Sequence, residues 1–480
     1  PTGYKPNEGW SQSFTIRRDA QTAEIDLADE PIRGGILVQK LDADLGQNSP
    51  QGDATLAGAV FSIVNRSANG VMVDGSWHEP GEVVKSITTD EKGVASTAER
   101  DLPYGTYEVI EASPSQGYDI PENWSQTVQI RTDGAIVAIE GERSALEPVV
   151  RGGIDLQKVD RELDEAGSEN PARPLGGASL EGAVFHVYNR SEHQVEVEGA
   201  TYQPGELVVP ATMTTDESGY ARTREDLLPY GTYEVVEATP SMGYLVNEEW
   251  SALAQVEGGM THLTAEADRT PEQVIRGDIS LQKSSSGSER LAGIPFKLTS
   301  ETTGEWHVLV TDENGMASTA AQWNPHSRNT NANDAALLAD GSVEDGGLEP
   351  SAGIWFFGSA DDKTTPNDDL GALPYDWYRL EELRCKANED MSLVSTRVHV
   401  TRNDVTLDLG TFDDAAFLID TSLNYGNGSS RSVPVGAQVE VTDTVTFEGL
   451  ETDASYVLVG ELHAFGADGT DEGAIASETL

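Results

Sequence analysis

Cysteine is almost missing from this chain. One residue, Cys385, stands among 480, so no disulfide can form within the chain and its cores or some other link must hold it. A lone thiol beside a strand is packing rather than chemistry. Long apolar runs are missing too, since none approaches the ~20 residues of a membrane-spanning helix. Basic residues are scarce: 31 Lys and Arg stand against 82 Asp and Glu, a formal charge of −51. Such a surface repels nucleic acid and stays solvated, with weak divalent-cation binding as the alternative reading. No Gly-x-Ser-x-Gly, His-Glu-x-x-His or Gly-rich phosphate loop occurs, and with this many acids a carboxylate pair carries no information. An enzyme, a cofactor and a metal site are therefore not expected. Neither an initial Met nor a signal-like segment opens the sequence, so a fragment, or sorting signals outside it, is expected.

What is abundant is turn chemistry and repetition. Gly (48) and Pro (22) punctuate short runs of β-branched residues, and no extended helical period appears, which favours many short strands. GGILVQKLD at Gly34 returns as GGIDLQKVD at Gly152 and GDISLQKSS at Gly277. AGAVFSIVNRS at Ala57 returns as EGAVFHVYNRS at Glu181, and TTDEKGVAST at Thr88 returns at Thr214 and, more loosely, at Val310. LPYGTYEVIEASPSQGY at Leu102 matches LPYGTYEVVEATPSMGY at Leu228, with LPYDWYRLEELRC at Leu373 as a divergent third copy. A period of about 120 residues is far longer than a solenoid repeat, so each unit should carry its own core.

Each unit reads as β. Ile36, Val38 and Lys40 share a strand face at period two, as do Ile154, Leu156 and Lys158. The segments Asp90–Gly93 and Asp216–Gly219 carry a type I turn signature. Tyr107, Val109 and Glu111 form a second alternating run, repeated by Tyr233, Val235, Glu237 and by Tyr378, Leu380, Glu382. The expected fold is all-β, a tandem array of immunoglobulin-like or prealbumin-like β-sandwich domains. A lysine and a glutamate at inward positions of every unit need a partner, because buried charge is costly.

The ordered pattern of a strand ending in Lys, then GAxF, a TxDxxG turn and LPxGxYxVxExxPxGY, resembles the SpaA or CnaB-type prealbumin-like domains of Gram-positive pilins and adhesins. It covers most of residues 33–275. The resemblance implies an intramolecular isopeptide bond between the strand lysine and an Asn or Asp of the last strand, promoted once by the glutamate of YxVxE. Burial would leave the amine neutral and the acid protonated, so that the acid polarises the carbonyl and carries protons. Carried over, the lysines are Lys40, Lys158 and Lys283 and the acids Glu111, Glu237 and Glu382. Asp29, in phase with Ile25 and Leu27, suits the acceptor of the incomplete opening repeat. The in-phase series of the next two units end on unreactive residues: Val137, Ile139, Gly141 and Leu263, Ala265, Ala267. Three readings stay open there: an isopeptide bond, a plain buried ion pair with the glutamate, and solvent-facing chains.

The third unit carries an insertion between Thr319 and Leu373 that is too long for a hairpin. Its Trp355, Phe356 and Phe357 either present a ligand surface to a glycan or protein or pack inside an Ω-loop. His326 with Asp334 makes a poor metal motif. RLAGIPFKLTS and ELRCKAN resemble a domain of surface-anchored proteins with VaFE repeats. IDTSLN at Ile419 and DTVTFEGL from Asp443 are similar to the start of a T-Q ester or VaFE domain, which implies Thr421 as the ester threonine and a Gln beyond Leu480.

Three strings mislead. Arg276-Gly277-Asp278 spells an integrin ligand, but its siblings read Arg33-Gly34-Gly35 and Arg151-Gly152-Gly153, so an interdomain turn is expected. LPYGT has Thr and Gly in the wrong order for a sortase signal, and N-x-S strings mean little in a bacterial chain. The expected divisions are 1–32, the end of an incomplete repeat; 33–150 and 151–275, two SpaA-like sandwiches; 276–414, a divergent third with the insertion 319–373; and 415–480, part of a T-Q ester-like domain. The resemblance implies a structural stalk and adhesin on a Gram-positive cell wall. Its partner would be a host or bacterial surface protein or glycan, and its covalent wall attachment would lie outside the chain. An array of carbohydrate-binding modules from a secreted enzyme is the alternative.

Overall fold

The computed structural model describes residues 1–263, 270–285, 289–344, 346–388, 391, 393–413, 418–425, 441–448, 459–465 and 471–479. The expected all-β class holds, in separate sheets with their own cores. Arg33–Asp42 is the pivot of the first body: its inward residues Ile36, Val38 and Lys40 are fully buried, as the period of two requires. It pairs antiparallel with Val94–Ser96 and Leu102–Pro103, and parallel with two successive segments. Ile136–Ile139 lies along its first half and Ala145–Glu147 along its second. Facing this sheet is an antiparallel one in the order Val83–Thr88, Val60–Asn65, Gly105–Ser113, Ser125–Ile130. Phe61, Ile63, Tyr107 and Val109 fill the space between the two.

The second body repeats the plan. Arg151–Asp160 pairs parallel with Gly259–Leu263 and then with Thr270–Glu272. In the third, Arg276–Ser284 pairs parallel with Thr406–Asp413. The tail is described as two hairpins, Leu418–Tyr425 with Val441–Glu448 and Val459–Phe465 with Asp471–Thr479.

The joints between bodies are also repeated. Gly117 and Gly243 have φ of +81° and +84°, and a Cβ there would sit 2.9 Å from a ring carbon of Tyr230 and of Tyr375 respectively. The tyrosine of each LPY segment thus packs on the bare backbone of the preceding body. Between the first two bodies Gln51–Asp53 is laced to the second: Asp53 accepts from Glu192 N at 2.8 Å and Thr232 Oγ1 at 2.6 Å, while Gln51 Oε1 accepts from Glu196 N at 2.7 Å. Between the second and third, the short helix Arg161–Glu165 presents Glu162, which takes Nε and Nη2 of Arg276 at 2.7 Å each.

One expectation is corrected here, and one choice left open by the sequence is decided. Arg276 is fully buried and Asp278 nearly so, within a strand rather than a turn, so the RGD string is not a surface ligand. The Arg276 guanidinium lies 3.8 Å over the Trp355 ring. Trp355 and Phe356 are fully buried and do not form a ligand surface: Trp355 Nε1 donates to Thr364 at 3.0 Å, and Phe356 meets the Tyr378 ring edge-on at 5.1 Å. Two large rings in reach of an apolar core gain more by burial than by waiting for a partner. Phe357 is half-buried with Lys363 Nζ 5.4 Å from its ring.

Candidate functional site: buried lysine–carboxylate clusters

In the first body the end of the pivot strand brings Lys40 into a closed space between the sheets. Lys40 is fully buried, and so is Glu147, whose Oε2 accepts from Lys40 Nζ. Glu111 reaches the same space from the facing sheet, where it stands opposite Phe61. The Tyr118 ring lies 3.9 Å from Nζ, and its hydroxyl donates to Asp42 at 2.8 Å. Asp42 is itself held by Leu45 N and Gln51 Nε2. Neither Glu111 oxygen nor Glu147 Oε1 has a hydrogen-bond partner. Burial brings Lys40 down to about 7, against the pull of Glu111, and pushes Glu111 up to about 7.

The second body builds the cluster again. Lys158 and Glu272, both fully buried, are in contact, and Glu237 Oε1 stands 3.8 Å from Nζ. Tyr244 lies 4.5 Å from Nζ and donates to Asp160 at 2.8 Å. Beyond the lysine contact neither Glu272 oxygen has a partner. Lys158 is brought down to about 7 by burial, and Glu237 is raised by burial although Asn247 N, at 2.7 Å, holds it back.

The third cluster is wired differently. Lys283 Nζ is 3.2 Å from Glu382, but Glu382 also accepts from Asn388 Nδ2 at 2.9 Å and Val394 N at 3.1 Å. Glu382 is thus hydrogen-bonded from two sides, whereas neither Glu111 oxygen has a partner.

The structure thus brings each expected lysine beside its expected glutamate, directly in the second and third bodies and across the same pocket in the first. Sequence reasoning missed Glu147 and Glu272. It followed Val137 and Ile139 to Gly141 and Leu263 to Ala265 and Ala267, the last two of which lie outside the described residues. In the first body the chain leaves the ladder there through a 3-10 turn at Gly141–Arg143, then rejoins the pivot strand at Ala145. A signal was present: Asp29, Glu147 and Glu272 each stand four residues before the arginine that opens the next body. The isolated bridges Tyr4–Pro31, Tyr118–Val149 and Tyr244–Val274 put all three at one equivalent place, two residues before the bridge. Asp29 is half-buried, and Thr421 is exposed on its hairpin opposite Val445. Among the described residues no His, Cys, Asp and Glu cluster could hold a metal, and no helix is long and apolar enough to cross a membrane.

Comparison with known proteins agrees with the repeats. Residues 44–143 and 175–268 match the SpaA prealbumin-like fold domain, and residues 418–479 match the T-Q ester bond containing domain. No curated protein matches the chain in sequence. Among solved structures, the Bacillus anthracis TIE protein is similar at 18% identity and TM-score 0.46 over 80% of this chain, which spans about half (51%) of that protein. BcpA, the major pilin subunit of Bacillus cereus, is similar at 15% identity and TM-score 0.26, over 80% of this chain and 99% of that one. The full-length major pilin SpaD of Corynebacterium diphtheriae is similar at 12% identity and TM-score 0.20, over 82% and 100%.

Proposed function

Because the chain carries two SpaA-type prealbumin-like domains and a T-Q ester bond domain, we propose that it is the stalk of a pilin-like or adhesin-like protein on a Gram-positive cell surface. The units divide near residues 33, 151, 276 and 415. The observation that carries this reading is the repeated lysine–carboxylate cluster, which joins the first strand of a domain to its last through fully buried side chains. A chain without disulfides gains from this the kind of restraint a disulfide gives. The finer reading is that Lys40 and Lys158 form intramolecular isopeptide bonds promoted by Glu111 and Glu237, with Lys283 and Glu382 as the third such pair. Thr421 is the ester-forming residue of the tail. Any chemistry is a single internal turnover, not enzymatic activity. The partner is a surface protein or glycan.

Burial of Trp355 and Phe356 takes two rings away from the surface that a carbohydrate-binding array would use. Fractionation of the source cells with an antibody to residues 33–275 tests the proposal. The chain is expected in the muramidase-released wall fraction, and recovery in the cytosol would overturn it.

A further inference from the structure

We infer that Glu147 and Glu272 are the acceptors of the two strand-to-strand amides, joining Lys40 to Glu147 and Lys158 to Glu272 through glutamate rather than Asn or Asp. The inference rests on the cross-link reading above and names its missing partner. Three observations carry it. The contact is in place, since each glutamate touches its lysine where the closing strand, Ala145–Glu147 or Thr270–Glu272, runs parallel to the pivot strand. The position is equivalent across repeats by the tyrosine bridges, and in residues 1–32 it is again held by a carboxylate, Asp29.

The third observation is charge. Each cluster sets one amine against two carboxyls, with a third, Asp42 or Asp160, held by the neighbouring tyrosine, in a space at most 9% exposed. An ion pair there keeps two desolvated charges and strands the remaining oxygens, Glu147 Oε1 and both of Glu272 among them. An amide removes both charges. Its carbonyl oxygen is then an acceptor for the second acid, Glu111 or Glu237, in its protonated form.

The step balances without any co-reactant. The neutral Nζ attacks Cδ of the protonated glutamate, and a C–N bond forms. Glu111, or Glu237 in the second body, takes the proton released from nitrogen and delivers it to the departing hydroxyl. The C–O bond breaks, one water leaves, and the shuttling acid ends protonated as it began. Burial, which leaves the amine neutral and the shuttling acid protonated near neutral pH, supports this sequence.

The test is a peptide map of the whole purified chain by mass spectrometry. Branched peptides joining Lys40 to Glu147 and Lys158 to Glu272, each lighter by one water than its two linear halves, are expected. Linear peptides at full mass would overturn both the cross-link reading and this inference. Branched peptides joining either lysine to another residue would leave the cross-link standing and overturn the glutamate assignment. A Glu147→Ala chain should lose the first branch and keep the second, while Val60–Asn65 and Gly105–Ser113 keep their hydrogen-exchange protection, which reports that the first body has folded. A first branch that survives the substitution would overturn the assignment.

Discussion

At the scale of the residue, the clusters show how burial alone prepares chemistry. Lys40 at about 7 is neutral above that pH, and Glu111 at about 7 is protonated below it, so the reactive pair of forms is most populated near pH 7. Closure of the first cluster in freshly synthesised chain should follow a bell centred there. Below it the amine takes a proton, and above it the acid loses one. Quenching a cell-free synthesis at a series of pH values and reading the Lys40–Glu147 branch checks this; a rate that kept rising to pH 9 would exclude Glu111 as proton carrier. Glu382 offers a contrast in wiring, because Asn388 Nδ2 and Val394 N both donate to it.

At the scale of the element, the closing strand Ala145–Glu147 is three residues long and has no apolar face of its own beyond Ala145. A strand so short is held by its ends rather than its ladder. In hydrogen-exchange mass spectrometry its amides should be as protected as those of Arg33–Asp42. In Glu147→Ala they should exchange at least tenfold faster while Val60–Asn65 and Gly105–Ser113 keep their protection. How much was legible follows the same division. Alternation placed Lys40, Glu111 and their counterparts inward because period two is a local property of the chain. Glu147 was not legible in that way, because the 3-10 turn at Gly141–Arg143 breaks the phase; its constant distance from the arginine opening the next body and the bridge register both restore it. Trp355 and Phe356 were read as either surface or core because the alternation that marks a strand is missing from their loop; tertiary packing decided it.

At the scale of the molecule, the bodies meet through specific contacts rather than slack linkers. Arg276 is the centre of the joint between the second and third: it is shared by Glu162, the Trp355 ring and the carbonyls of Phe356 and Ala372. Arg276→Ala leaves Glu162 buried without its cation, at a cost of about 3–5 kcal/mol. The third body should therefore melt earlier, and small-angle scattering should show a broader distribution of overall lengths. An unchanged melting profile would mean that the joint is held by its apolar contacts alone.

The parallel run of the pivot and closing strands has a consequence for survival of the chain. Lys40 and Glu147 are 107 positions apart, and nearly every loop of the first body lies between them. With the two side chains joined, that stretch is a side ring and no longer part of the line from one body to the next. A protease that cuts any of those loops opens the ring and leaves the line whole. Continuity then depends only on the few residues from Glu147 to Arg151 and on the pivot strand, where the structure leaves little backbone to attack.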